Sequence, residues 1–265
     1  MRLSYSALST FNQCPLKYKW QYIDRIKVPP TPDQFFGILI HEILEEMLKN
    51  DPVIPPIDKM LDIYKKQWNP TYFKGDISEK EFYNDGIKII KDFHASHSPG
   101  LSTIYSTEKF FEIFWEGHKI VGKIDRVDRL PTGEIEIIDY KTNRKLPAES
   151  DFGFDLQLPL YQWAAKNLWN DVDKVKLTLY FVRHGKKITP EKIRNLDELK
   201  AHILRTVNEI TNSAFQPTPS KLCSWCEYLN QCEEGQKYLL NIQSPKSKKE
   251  PSIKPSDNLN QGSLF

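Results

Sequence analysis

Three residues carry the most chemistry in this chain: Asp125, Asp139 and Lys141. They lie in two stretches, HKIVGKIDRVDRL and EIEIIDYKT, joined by Pro131-Thr132-Gly133, and their alternating β-branched texture predicts a hairpin. A three-residue loop with Gly133 in the left-handed conformation sets Leu130 opposite Glu134, and the same register sets Asp125 opposite Asp139. Two carboxylates facing each other on one sheet face, roughly 4.5–5.5 Å apart, repel unless a cation lies between them. Lys141 projects from the same face, because side chains alternate along a strand. Hard oxygen donors of this kind suit Mg2+ or Mn2+, which can bridge a phosphate and acidify a bound water, while a lysine amine orients that water or steadies developing charge. The chemistry expected of the set is phosphodiester hydrolysis. Two alternatives stay open: an exposed hairpin with ordinary surface charges, or a two-residue loop whose shifted register turns Asp125 toward Tyr140.

A second concentration of chemistry is in the cysteines. Cys14 stands near the start, and Cys223, Cys226 and Cys232 form a C-x2-C-x5-C cluster far downstream. Four cysteines are too few for a disulfide scaffold in a chain of this length, whereas four thiolates suffice for a zinc ion or an iron-sulfur cluster. Either would tie distant parts of the chain together, a structural role rather than a catalytic one.

The surrounding elements follow from periodicity. Two short helical stretches flank Cys14-Pro15, with Leu8, Phe11, Tyr18 and Tyr22 as apolar positions. Residues 34–49 repeat Phe36, Ile40, Ile43, Leu44 and Met47 at helical spacing, which puts His41 and Glu45 on one face. Residues 50–98 read as a helical insert, with helices from about Ile57 to Trp68 and from about Ser78 to Ala95 around a break at Gly75. From Tyr105 the strands EKFFEIFWEG, HKIVGKIDRVDRL and EIEIIDYKT form an antiparallel meander. Asp155 can cap a helix running to about Trp169, which sets Gln157 and Tyr161 one turn apart on one face. A further strand, VKLTLYFVRHG, and a helix over 197–213 lead into the cysteine cluster.

Composition limits the function classes. The chain has 265 residues, 39% hydrophobic, enough for one large or two small domains. With Lys plus Arg at 37 and Asp plus Glu at 35, a net charge of +2 gives no global basic field, so any nucleic-acid contact must be a local patch. The candidates for it are Lys123, Arg126, Lys141, Arg144 and Lys145, with Tyr161 and Trp163 as stacking surfaces. No run approaches the roughly 20 apolar residues of a membrane span, and MRLSYSALSTF lacks the features of a signal peptide. The expectation is a soluble, cytoplasmic protein.

In order along the chain, LSYSALSTFNQCP, GILIHEILE, GKIDRVD, IIDYKT, QLPLY and CSWCEYLNQC resemble the RecB-like branch of the PD-(D/E)XK nucleases over most of residues 3–235. The resemblance implies an α/β fold with a restriction-endonuclease-like core: a mixed central sheet flanked by helices, with a helical insert and an iron-sulfur staple. It implies a nuclease domain over 1–242 and a divalent-metal-dependent deoxyribonuclease, an exonuclease on single-stranded DNA or DNA ends in repair or recombination, with a helicase as a possible partner. Carried over residue by residue, it makes His41, Asp125, Asp139 and the Tyr140 backbone carbonyl metal ligands for Mg2+ or Mn2+, and Lys141 the catalytic lysine. Gln157 and Tyr161 match the Q-x3-Y motif that supports the site. Cys14, Cys223, Cys226 and Cys232 match the ligands of a [4Fe-4S] cluster, with structural Zn2+ as the alternative. Ile124 stands where the family name has proline, a departure common in this branch.

After Gln243 the chain is rich in Ser, Pro and Lys and reads as a flexible tail, residues 243–265. Its end, Gln261-Gly262-Ser263-Leu264-Phe265, looks like the short peptide by which bacterial replication and repair proteins dock on the sliding clamp, with Gln261, Leu264 and Phe265 as the anchoring residues. Two other functions fit the same features: a catalytically silent DNA-binding or scaffold module of a repair complex, and a nuclease of CRISPR adaptation. The intact acid, acid and lysine set argues against the first.

Overall fold

The computed structural model describes residues 1–51, 53–73, 79–97, 103–148, 156–169 and 174–243. The predicted Asp155 cap, the Gly75 break and the tail motif with Gln261, Leu264 and Phe265 lie outside them. The chain divides into two compact units, one built from residues 1–5 and 32–199, the other from 6–31 and the described residues from 200 onward.

The first unit is a mixed sheet flanked by helices. Its strands are β1 (Arg2–Leu3), β2 (Ile104–Trp115), β3 (His118–Arg129), β4 (Ile135–Lys141), β5 (Val175–Phe181) and β6 (Lys186–Ile188). β2, β3 and β4 form the expected antiparallel meander, β4 runs parallel to β5, and β6 returns antiparallel. β4 is buried along its whole length, as a strand with both faces covered should be. The β3–β4 hairpin has the register expected from its loop, with Arg126 opposite Ile138 and Arg129 opposite Ile135. Gly133, at φ 86°, supplies the left-handed residue that this loop requires.

Two-residue β1 was not legible in the sequence, and it matters. β2 covers one edge of β3 from His118 to Asp128. β1 and β4 therefore share the other edge: β1 pairs with Lys119 and Ile120, and β4 with Arg126 to Arg129. Between them, residues 121–125 have no strand partner on that side among the described residues. Asp125 lies at the mouth of this gap.

The helices of this unit are α3 (Pro32–Leu48), α4 (Ile57–Gln67), α5 (Glu79–Ala95) and α6 (Gln157–Leu168), with the start of α7 (Leu196–Thr211). The apolar stripe of α3, from Phe36 to Leu48, packs with Met60, Tyr64, Phe82, Ile90 and Phe93 of α4 and α5 against Ile138, Tyr140 and Tyr180 of the sheet. These helices thus cover one sheet face and build the main core. α6 starts at Gln157 with Leu156 in the capping position and no side-chain cap.

The second unit carries α1 (Tyr5–Gln13), α2 (Pro15–Tyr18), two 3-10 turns over Lys221–Trp225 and Leu229–Gln231, and α8 (Glu233–Gln243). Phe11, Tyr18 and Phe215 cluster with ring centroids 5.4–6.4 Å apart. The Tyr228 hydroxyl donates to the Ile26 carbonyl at 3.0 Å, and Lys17 pairs with Glu227 at 2.9 Å. The N-terminal and C-terminal segments of this unit are thereby held together.

Candidate active site

The gap between β3 and β4 assembles most of the predicted site residues. The strand pairing ends at Arg126 and Ile138. One step further, the Asp125 carboxylate accepts the Tyr140 backbone N–H through Oδ2 at 2.8 Å. The side chain thus satisfies a donor that the parting strands leave unpaired. Its other oxygen, Oδ1, lies 3.5 Å from His41 Nδ1.

His41 reaches the site because α3 comes very close to the end of β4. Gly37 lies one helical turn before His41, and a Cβ there would stand 3.3 Å from Thr142 Oγ1. Residues four apart share a helix face, so the glycine that permits the approach also aims the histidine. Burial disfavours the imidazolium, but the Asp125 charge and hydrogen bond outweigh it, and the His41 pKa is raised.

Asp139 and Lys141 form a second group. Burial pushes the Asp139 carboxyl upward, with the Asp125 charge adding to it and Lys141 opposing. Burial also acts to raise Asp125, yet His41, the Tyr140 N–H and Lys141 together hold it below its ordinary value. Adjacent carboxyls pushed in opposite directions are a frequent mark of a functional site. Lys141 Nζ lies 2.8 Å from Asp139 Oδ2 and donates to Gln157 Oε1 at 2.7 Å. Gln157 Nε2 donates to the Tyr161 hydroxyl at 2.8 Å, and that hydroxyl lies 3.1 Å from both Asp139 Oδ1 and the Lys123 carbonyl. One turn of α6 therefore fixes the lysine and the acid together.

Glu108 is the site residue that sequence reasoning missed. Among the described residues, the one group able to offer three metal donors within 4.8 Å of one another is His41, Glu108 and Asp125. Glu108 lies on β2 across from Asp125, at a break in that ladder where its backbone adopts φ 49°. Left-handed geometry at a non-glycine residue is uncommon within a strand. It opens the sheet here, with Glu108 Oε2 buried and ion-paired to Lys123. Only the opposition of Glu108 to Asp125, legible once the β2–β3 register is known, could have signalled it.

The structure corrects three of the expected nucleic-acid contacts. Arg126 is buried, donating through Nε and Nη2 to Asp128 at 2.6 and 2.7 Å and through Nη1 to His97 at 2.6 Å. Tyr161 and Trp163 are also buried, the latter edge-on to Trp115, so neither can stack on a base. Alternation along β3 and the packing of α6 turn these side chains inward. Lys123, Arg144 and Lys145 do reach the surface, and the Arg144 guanidinium lies 4.2 Å from the Phe82 ring.

In the second unit, Cys14, Cys223, Cys226 and Cys232 line one cavity with Gln13, Lys17 and Trp20. The Ser220 N–H points at Cys223 Sγ from 3.3 Å and the Gly235 N–H at Cys232 Sγ from 3.4 Å. No helix among the described residues is long and apolar enough to cross a membrane.

Comparison with known proteins agrees with this geometry. The family model described as PD-(D/E)XK nuclease superfamily matches residues 2–233. A component of the ATP-dependent helicase/deoxyribonuclease of Streptococcus agalactiae serotype III is 27% identical over 220 residues, covering 75% of this chain and 20% of that protein. Its Streptococcus uberis counterpart is 30% identical over 172 residues, covering 61% and 16%. The chain thus spans about a fifth of the length of these relatives. The Gene 69 protein of Mycobacterium phage D29 is 24% identical over 86% of this chain and 95% of its own. A crystal structure described as a candidate exonuclease from Eubacterium rectale shares the fold, with a TM-score of 0.52 and 14% identity, over 95% of this chain and 91% of its own. A match of this extent, coupled to an acid, acid and lysine set gathered where two strands part, has one reading: the chain belongs to the PD-(D/E)XK nuclease superfamily.

Proposed function

We propose that the chain is a divalent-metal-dependent DNA nuclease acting on single strands or DNA ends. The observation that carries this reading is the meeting of His41, Glu108 and Asp125 within 4.8 Å, beside a lysine fixed against Asp139. The donor set, one imidazole and oxygen ligands, fits Mg2+ or Mn2+. His41, Asp125 and Asp139, with the Tyr140 carbonyl and Glu108, would hold the metal, which when bound supplies Lewis acidity toward a phosphate oxygen and a more acidic water. Lys141, kept in place by Gln157, presents its ammonium where charge develops on the phosphate. Tyr161 keeps Asp139 oriented.

The resemblance favours a [4Fe-4S] cluster, with structural zinc as the alternative, and four cysteines lining one cavity suit either. A helicase partner is supported by the names of the streptococcal relatives, which pair a helicase with a deoxyribonuclease, and a role in repair or recombination rests on the family resemblance. Docking of the tail on a sliding clamp through Gln261, Leu264 and Phe265 is a separate part of the proposal, checked by clamp pull-down with and without the last five residues.

Calorimetric titration of Mn2+ into the metal-stripped chain tests the site. We expect binding that weakens at least about tenfold in Asp125→Asn, Asp139→Asn and Glu108→Gln. Unchanged affinity in all three would refute the assignment.

A further inference from the structure

One surface next to the site was assigned no role by the sequence beyond the cation Lys123. On the β2–β3 hairpin, Phe110 pairs with Lys123 and Phe114 with Lys119. Directly opposed residues share a sheet face. Arg2 of β1, beside Lys119, extends the same face. Both aromatic rings stand out in solvent, Phe110 at 52% and Phe114 at 74% exposure. These are unusual positions for large apolar side chains, and they alternate with cations rather than forming a continuous apolar patch. Lys119 Nζ lies 4.9 Å from the Phe114 ring and 3.1 Å from Glu112, an acid between the two rings. At the other end, Lys123 pairs with Glu108, so the face begins at the candidate metal donors.

We propose that this face, with Phe110, Phe114, Arg2, Lys119 and Lys123, is a track along which single-stranded DNA reaches the site. The proposal rests on the nuclease reading and names the form of its substrate. Two rings four strand residues apart, roughly 13 Å along the hairpin, offer flat apolar surfaces to unpaired bases, while the flanking cations meet the phosphates. Duplex DNA hides its base faces in the stack and cannot use the rings. A protein partner would call for contiguous apolar area, which Glu112 and the lysines interrupt.

Fluorescence anisotropy with labelled oligothymidylate and the full chain, in EDTA so that nothing is cut, tests the track. Both rings are exposed, so Phe110→Ala/Phe114→Ala should melt as wild type does while binding the single strand about tenfold or more weakly. Phe110→Leu/Phe114→Leu, which keeps apolar volume without a ring, should not restore binding. Lys119→Gln should reduce the slope of log affinity against log salt by about one. An alanine variant that binds like wild type, full rescue by leucine, or equal affinity for duplex would overturn the track. The nuclease reading is separable from it: a wild type that cuts DNA while the alanine variant binds normally refutes the track alone. A chain that binds single strands through the rings yet never cuts refutes the nuclease alone.

Discussion

Asp125 takes the Tyr140 N–H at 2.8 Å at the point where β3 and β4 stop pairing. The carboxylate therefore has two duties, filling a vacancy in the sheet with one oxygen and facing His41 with the other. Substitutions can separate them. Asp125→Asn keeps an acceptor for Tyr140 and should leave the melting temperature near wild type while abolishing cleavage. Asp125→Ala leaves a buried N–H unpaired and should cost roughly 1–3 kcal/mol as well. Thermal denaturation of the pair followed by circular dichroism checks this, and equal melting temperatures would mean that the hydrogen bond carries no weight.

Gln157 touches Lys141 and Tyr161. It acts through them, as a positioning residue. Gln157→Ala should lower kcat by about 10- to 100-fold while Mn2+ affinity holds steady. A parallel loss of metal affinity would instead make Gln157 part of the donor set.

Cys14 and the three downstream cysteines converge within one unit. Cys226→Ser in anaerobically purified protein should abolish visible iron-sulfur absorbance and lower the melting temperature. Full stability without the absorbance would exclude a structural role, and zinc in stoichiometric amount by elemental analysis would replace the cluster.

His97 lies away from this chemistry. Its Nδ1 lies 2.7 Å from the Phe93 carbonyl, and Nε2 accepts from Arg126 at 2.6 Å, so the neutral tautomer is the one that fits. Burial, reinforced by the Arg126 charge against the Phe93 hydrogen bond, lowers its pKa. The unfolded chain then binds the proton more readily, so stability rises with pH through this window. It is fully present above the unfolded value of about 6.5 and lost as pH falls toward the folded pKa. Chemical denaturation at stepped pH should find that fall shallower in His97→Asn, and identical profiles would contradict the assignment.

The hairpin register was legible because Gly133 fixes the loop and each loop fixes one pairing. The helices Ile57–Gln67 and Glu79–Ala95 were equally plain, since their apolar stripes are long and regular. What the sequence concealed depends on third parties. Glu108 becomes a site residue only through the break it makes opposite Asp125. Arg126 reads as a surface cation until Asp128 and His97 are seen to surround it. Tyr161 and Trp163 look like stacking platforms by residue type alone, but the face of α6 that carries them is turned inward. The rings that do stand exposed, Phe110 and Phe114, lie in a run of apolar residues that alternation alone divides between two faces.

The central claim is tested most directly by incubating end-labelled single- and double-stranded DNA with the full-length chain in Mg2+, Mn2+ or EDTA, beside Asp125→Asn and Lys141→Met. The account predicts cleavage by wild type that requires the divalent metal, is lost in EDTA, and is absent from both variants while their melting temperatures and visible absorbance persist. Cleavage that survives in the Lys141→Met and Asp125→Asn proteins, or that proceeds in EDTA, would contradict it.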